Sequence, residues 1–219
     1  MKLRVRSITY LADGINGYEL VDPMGRDLPR FSAGAHVAVR AGSRDDHCGD
    51  GAVWRDYSLW NDPAERRRYC IAVLRERQGR GSRHWHDEVR VGDLVEIGLP
   101  RNNFPIAAEA RRHLLIAGGI GITPFMAMIA ELKRRHAEFR LYYGTRAPGA
   151  TAFRDELALL AAQGRVHFHH DGGDPAQGLD IAALLREPVP GTHCYYCGPA
   201  GMMAAAAAAS AHWPPGTVH

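Results

Sequence analysis

The sequence predicts two domains, an antiparallel β-barrel over residues 1–106 followed by an α/β domain with a parallel sheet over residues 107–219. Three observations carry that expectation. Before about Pro105, short apolar stretches recur between turn-forming glycines and prolines, the pattern of an antiparallel barrel or sandwich. Beyond it, strand-like stretches alternate with helix-like ones, which implies parallel pairing through crossover helices. At the change-over, the uncharged run Leu114–Ala130 is cut by Gly118, Gly119, Gly121 and Pro124, so it reads as strand, turn and helix rather than as a membrane span.

The elements follow in order. Arg4–Tyr10 and His36–Arg40 alternate polar and apolar residues, and Gly14, Gly17, Asp22-Pro23 and Gly25 form the turns between such stretches. Tyr57–Trp60, Tyr69–Leu74 and Leu94–Ile97 continue the strand series, and the polar, glycine-containing stretch 42–51 reads as a surface loop. Ser82 is placed to cap a helix over Arg83–Val89. In the second half the expected strands are Leu114–Ala117, Phe139–Tyr143, Val166–His170 and His193–Tyr196. The expected helices are Pro124–His136, Phe153–Ala162, Ile181–Leu185 and Ala200–Ala211, the last built on an alanine run that favours helix.

Composition narrows the function. At 46% hydrophobic and 23% charged residues, the chain is neither disordered nor collagen-like. Its net charge of +3 is small and no basic run, Arg66–Arg68 included, exceeds three residues, so nothing points to nucleic acid. Four cysteines are too few for a disulfide scaffold, and Met1–Asp13 has no continuous apolar stretch of the secretory kind; the expectation is a cytoplasmic protein with no membrane segment.

The sharpest motif is Gly118-Gly-Ile-Gly-Ile-Thr-Pro124, placed after a strand and before a helix. Glycines there let a backbone approach a pyrophosphate, and a helix N-terminus supplies N–H donors. Pro124 suits the start of a helix, although it stands where the usual dinucleotide fingerprint has a third glycine. In Arg55-Asp-Tyr-Ser58, an arginine, an aromatic ring and a hydroxyl are suited to a phosphate, a flat ring and a hydrogen bond, although a plain strand with an exposed arginine would look the same. Gly79-Arg-Gly-Ser-Arg83 offers a second anion site, or simply a capped helix. Cys194-Tyr-Tyr-Cys197-Gly-Pro199 falls on a strand, which fits neither structural zinc nor a thioredoxin-like site, and puts Cys197 where α/β sheets bind ligands. His167, His169 and His170 cluster without an obvious third ligand on one face, so no metal is assigned.

Taken together, Arg55-Asp-Tyr-Ser58, Gly81-Ser82, Gly118–Pro124, Tyr143-Gly-Thr-Arg146 and Cys197-Gly-Pro199, in that order, resemble the ferredoxin–NADP reductase superfamily. The likeness is greatest to its phthalate dioxygenase reductase and vanillate O-demethylase reductase branch. Pro29–His36, Trp60–Pro63, Arg101–Phe104 and Phe153–Leu157 match as well, so the resemblance spans essentially the whole chain.

That resemblance implies a six-stranded antiparallel flavin barrel, a pyridine-nucleotide domain, and hydride transfer from NADH, rather than NADPH, to FMN, rather than FAD. Arg55 would hold the flavin phosphate beside Asp56, Tyr57 would lie on the ring system, and Ser58 would hydrogen-bond near the reacting nitrogen. Ala72, Val73, Leu74 and Arg75 would run beside the flavin, and Gly81, Ser82 and Arg83 would cradle its phosphate. Gly119, Gly121, Thr123 and Pro124 would receive the dinucleotide, with Cys197, Gly198 and Pro199 beside the nicotinamide. Ser58, Thr123 and Cys197 would flank the reacting atoms. Arg146 could meet a 2′-phosphate, whereas Asp171 suits a free ribose hydroxyl. Electrons would pass from a monomeric reductase through a ferredoxin-like domain or a separate ferredoxin to a Rieske-type oxygenase or demethylase. Cys48, Cys70, Cys194 and Cys197 lack the spacing that a two-iron, two-sulfur cluster needs, so the resemblance implies a shortened form of a longer protein, with such a cluster only in a missing C-terminal domain. The alternatives are a stand-alone NAD(P)H:flavin or ferredoxin reductase, and a non-catalytic flavin- or nucleotide-binding module.

Overall fold

A computed structural model describes residues 1–43 and 52–219; most of the expected 42–51 loop, with Cys48, lies outside the described residues. The first half contains β1 (Lys2–Ala12), β2 (Ile15–Val21), β3 (His36–Ser43), β4 (Ala52–Ser58), β5 (Tyr69–Leu74), α1 (Arg80–Asp87) and β6 (Leu94–Glu96). Its six strands form a four-stranded antiparallel sheet, β5-β2-β1-β6, and a β3–β4 hairpin. Bridges at Val39–Ile97 and His36–Arg101 join the two, so the barrel is curled and only partly closed. Val37 and Val39 of the hairpin, Leu3, Val5 and Leu20 of the sheet, and Trp85 of α1 share one buried core.

β2 is the strand that the turn reading of Gly14 and Gly17 hid. Gly14 does turn the chain, at φ +72°, but Gly17 lies inside β2, opposite Thr9 and Ala72. A Cβ there would come 3.1 Å from the Leu11 side chain, which covers the glycine. Helix α1 also departs from expectation: it opens at Arg80, so Ser82 is its third residue and not its cap. The Ser82 hydroxyl instead donates to Gly79 O and accepts from Glu76 N–H, both at 3.1 Å, bracing the turn before the helix.

The second half runs β7 (Arg112–Gly118), α2 (Thr123–Arg134), β8 (Glu138–Thr145), α3 (Arg154–Ala162), β9 (Val166–His170), α4 (Ile181–Leu185), β10 (Thr192–Cys197) and α5 (Ala200–Ala209). These strands pair in parallel in the order β10-β7-β8-β9. Residues 217–219 run beside β10 as well, with Cys194 N–H bonded to Thr217 O at 2.8 Å and Tyr196 N–H to His219 O at 3.1 Å. A 3₁₀ turn, Gly119–Ile122, precedes α2 and leaves Pro124 as that helix's second residue. No helix among the described residues is long and apolar enough to cross a membrane.

The two halves share an apolar core. Ala12, Ile15, Ala33 and Ala72 from the first pack in one cluster with Leu115, Ile122, Phe125 and Met128 from the second. Between them, Phe104 meets Phe125 and Tyr195 at ring separations of 6.0 and 5.8 Å. The Asn102 side chain fastens this connection, donating to Ser32 Oγ and Ala33 O and accepting from Phe104 N–H.

Candidate functional site

In the parallel sheet, β7 and β10 are adjacent but far apart in sequence, so the chain order reverses between them. Crevices outside the C-terminal strand ends at such a reversal are where open α/β sheets bind ligands. Gly118–Ile122 leaves β7 there, and Cys197–Pro199 leaves β10 beside it.

Glycine is required at this meeting of two backbones. A Cβ on Gly121 would come 2.1 Å from Cys197 O and 2.8 Å from Gly198 N. On Gly118 it would come 2.7 Å from Met202 Sδ, and on Gly198 3.0 Å from the Gly118 Cα. Gly119 differs, for it has φ +53° and open space where its side chain would be. Left-handed backbone facing an open crevice suits close approach of a ligand. Thr123 is buried and its hydroxyl donates to Ile120 O at 3.0 Å, holding the turn. Burial raises the Cys197 thiol above its usual pKa, so at neutral pH it is a neutral group that can position a ring and is no thiolate nucleophile.

The second cluster lies on the barrel. Arg55 and Tyr57 share one face of β4, with Asp56 and Ser58 on the other. Arg55 is exposed, and its guanidinium donates to Trp54 O at 2.9 Å, its one hydrogen bond among the described residues. Gly81, in the first turn of α1, packs so close that a Cβ would come 3.0 Å from Ala41 Cβ and 3.2 Å from Arg55 Cγ. No side chain caps α1. An uncapped N-terminal turn beside an uncommitted arginine suits a phosphate. Tyr57 is half-buried, edge-on to Trp85 at 6.2 Å, and desolvation pushes its phenol up to about 12. A cavity of about 650 Å³, lined by Arg40, Arg80, Arg83 and His84, also borders α1, but Arg55, Tyr57 and Ser58 do not line it.

Strand β5 links the two clusters: its Ala72 shares a core with Ile122, against which Leu74, Ile120 and Cys197 pack, while its Ile71 and Val73 belong to the first half's own core with Trp85, against which Tyr57 packs.

Comparison with known proteins fits this geometry. The family model "Oxidoreductase NAD-binding domain" matches residues 115–208. Over the whole chain, the sequence is 53% identical to the tert-butanol monooxygenase / tert-amyl alcohol desaturase reductase subunit of Aquincola tertiaricarbonis and 44% identical to phthalate dioxygenase reductase of Burkholderia cepacia. A solved structure of phthalate dioxygenase reductase superposes on the whole chain with a TM-score of 0.91 at 42% identity. The chain belongs to the phthalate dioxygenase reductase branch of the ferredoxin–NADP reductase superfamily. It spans 63% and 66% of the two relatives, just under two thirds of their length, and 66% of the solved chain.

Within the family frame, the remaining expected residues scatter in their commitments. Ala72 and Val73 are buried in β5, and Leu74 is partly exposed. Arg75 pairs with Asp87 at 3.0 Å, and Arg83 lies 3.8 Å from the same carboxylate, so both are partly neutralised. Arg146 is exposed at the end of β8. Asp171 follows β9, its carboxylate accepting from Gly173 N–H at 2.7 Å. Of the histidines, His167 stacks on Tyr142 at 4.8 Å and His169 Nε2 lies 2.6 Å from Gln177 O; among the described residues no three candidate ligands gather for a metal.

Sequence reasoning missed Met202, whose side chain wedges against Gly118 and Gly198. It also missed Trp60 against Phe153, at 5.0 Å across the two halves. Both are defined by tertiary approach, which no local pattern reports.

Proposed function

We propose that this chain is the flavin- and pyridine-nucleotide-binding part of an oxygenase reductase, residues 1–106 holding FMN and residues 107–219 binding NADH. The observation that carries the reading is the placement of two ligand-ready features on the two cores that β5 joins: uncapped α1 with Gly81 closed onto Arg55, beside the core of Ile71, Val73 and Trp85, and the open side of Gly119 above the Gly121–Cys197 contact, beside the core of Ala72 and Ile122. The chemistry a flavin supplies at this place is acceptance of a hydride from NADH and release of the electrons one at a time.

The chain's own contribution is orientation and electrostatics. Arg55 neutralises the flavin phosphate together with the N–H groups of Gly81 and Ser82, with Asp56 and Arg83 at the rim. Tyr57 offers a ring face and Ser58 a hydroxyl to the flavin's reacting edge, while Ala72, Val73, Leu74 and Arg75 wall its side. Gly119, Gly121, Thr123 and Pro124 admit the dinucleotide, and Cys197, Gly198 and Pro199 fix the nicotinamide from below, Cys197 as a neutral thiol. Asp171 accepts from a ribose hydroxyl and favours NADH over NADPH, with Arg146 beside it.

The solved relative is described as a modular structure for electron transfer from pyridine nucleotides to [2Fe-2S]. By that likeness, electrons leave this chain for a ferredoxin-type domain or a separate ferredoxin, and from it for a Rieske-type oxygenase or demethylase. The test of the flavin site is retention of FMN through gel filtration by the wild-type chain and by Arg55→Ala. Retention lost only in the variant supports the site, and equal retention by both would remove Arg55 from it.

A further inference from the structure

Resting on the nucleotide reading above, one buried polar cluster gains a role that the expected site residues leave unassigned. At the C-terminal ends of β8 and β9, the Thr145 hydroxyl lies 2.7 Å from the Thr151 hydroxyl and 2.9 Å from His170 Nδ1. Thr151 in turn donates to Ala147 O at 3.0 Å. Both threonines are buried, at 5% and 3% exposure, whereas His170 opens to solvent. With the imidazole proton on Nδ1, every donor is used in one direction: His170 to Thr145, Thr145 to Thr151, Thr151 to Ala147. A buried chain of this kind specifies its geometry strongly, because a missing member strands the others.

The residues it holds are the neighbours of the two that would read the adenosine ribose. Arg146 sits between Thr145 and Ala147, both members of the chain, and Asp171 directly follows His170. Backbone bonds lace the same two ends, Asp171 N–H to Thr145 O at 3.1 Å and Gly172 N–H to Arg146 O at 3.0 Å.

Its far end reaches the flavin half. Between Ala147 and Thr151, Gly149 O accepts from Asp13 N–H at 2.9 Å. Gly149 lies so close to the Asp13 carboxylate that a Cβ would come 2.7 Å from Oδ2, and Tyr10 fixes that carboxylate by donating to it at 2.7 Å. Two residues past Thr151, Phe153 takes a left-handed φ of 60° and sets its buried ring against Trp60.

We propose that Thr145, Thr151 and His170 form a positioning relay that presets Arg146 and Asp171 for the adenosine end of NADH and ties that end, through Gly149 and Asp13, to the flavin half. Thr145 touches no reacting atom, so its removal should weaken binding of the adenosine part and spare the chemical step.

The experiment compares NADH with reduced nicotinamide mononucleotide, which lacks the adenosine, as electron donors to the FMN-loaded chain. Thr145→Val keeps the side-chain shape and removes the hydroxyl; it should raise KM for NADH about tenfold, the order of one lost buried hydrogen bond, with kcat unchanged. The mononucleotide should react with Thr145→Val as it does with wild type, and Thr145→Ser should restore the NADH value. His170→Ala, at an exposed position that folding tolerates, should raise KM for NADH severalfold in the same donor-specific way. Equal losses with both donors, or no change in either variant, would overturn the relay while leaving the wild-type reaction, and the functional reading, intact. A wild-type chain that takes no electrons from NADH would bring down the reading and the relay with it.

Discussion

Replacing Gly121 with alanine perturbs the contact on which the nucleotide crevice is built. The new Cβ would stand 2.1 Å from Cys197 O, 2.4 Å from its carbonyl carbon and 2.8 Å from Gly198 N. All three are backbone atoms, so no side-chain rotation relieves the overlap, and the ends of β7 and β10 must part by about 1 Å to restore van der Waals contact. Overpacking of this kind costs about 1–3 kcal/mol, and for a chain of this length each kcal/mol lowers Tm by about 2–4 °C. Gly119→Ala is the internal control. It meets nothing within 4 Å but must hold φ +53°, a strain of about 1 kcal/mol. Thermal unfolding followed by circular dichroism should therefore rank wild type, Gly119→Ala and Gly121→Ala in falling order of Tm. NADH binding by fluorescence titration should weaken in both variants, in Gly119→Ala because its methyl group fills the side of the crevice left open to a ligand. A Gly121→Ala chain with the Tm and NADH affinity of wild type would refute the account of the β7–β10 contact.

Other outcomes follow from the same geometry. Arg55→Ala removes a charge-assisted phosphate contact worth about 1.5–3 kcal/mol, so FMN affinity by equilibrium dialysis should fall roughly ten- to a hundredfold; an unchanged dissociation constant would place the phosphate elsewhere. Asp171→Ala should lower the ratio of kcat/KM for NADH over NADPH, and an unaltered ratio would free Asp171 from the ribose. Burial pushes the Cys70 and Cys194 thiols up to about 12, so between pH 9 and 10 the unfolded chain gives up those protons while the folded one keeps them. Stability should thus fall as pH rises through that window, by about 1 kcal/mol for each thiol. Urea titrations of Cys194→Ala should show a shallower fall, and an identical slope would mean that the thiol ionises freely in the native state.

Much of this architecture was legible because its signals are local. The β7–turn–α2 unit is written in one run, an apolar strand followed by glycines, a proline and a helix, and the structure changes it only by inserting the 3₁₀ turn Gly119–Ile122. Gly17 misled for the opposite reason: its role inside β2 comes from the Leu11 side chain lying over it, and sequence alone offers the commoner reading of a turn. Ser82 looked like a helix cap because capping residues are polar, yet its hydroxyl braces the preceding turn and α1 is left without a side-chain cap. The candidate site residues were found by the order of short motifs along the chain. Their nearness was not, since it depends on β5 serving two cores, with Ala72 beside Ile122 in one and Ile71 and Val73 beside Trp85 in the other. Thr151 and Met202 escaped notice, and Thr145 stood only as one position of the Tyr143–Arg146 motif, because each acquires its meaning from partners in other elements.

The most direct test of the central claim is the visible spectrum of the FMN-loaded chain, recorded anaerobically before and after one equivalent of NADH. Prompt loss of the flavin absorbance is the result the account predicts, because β5 joins the core beneath the nucleotide crevice to the core beneath the flavin cradle. Flavin that stays bound and oxidised while NADH also binds would contradict it, and would leave two binding sites with no electron path between them.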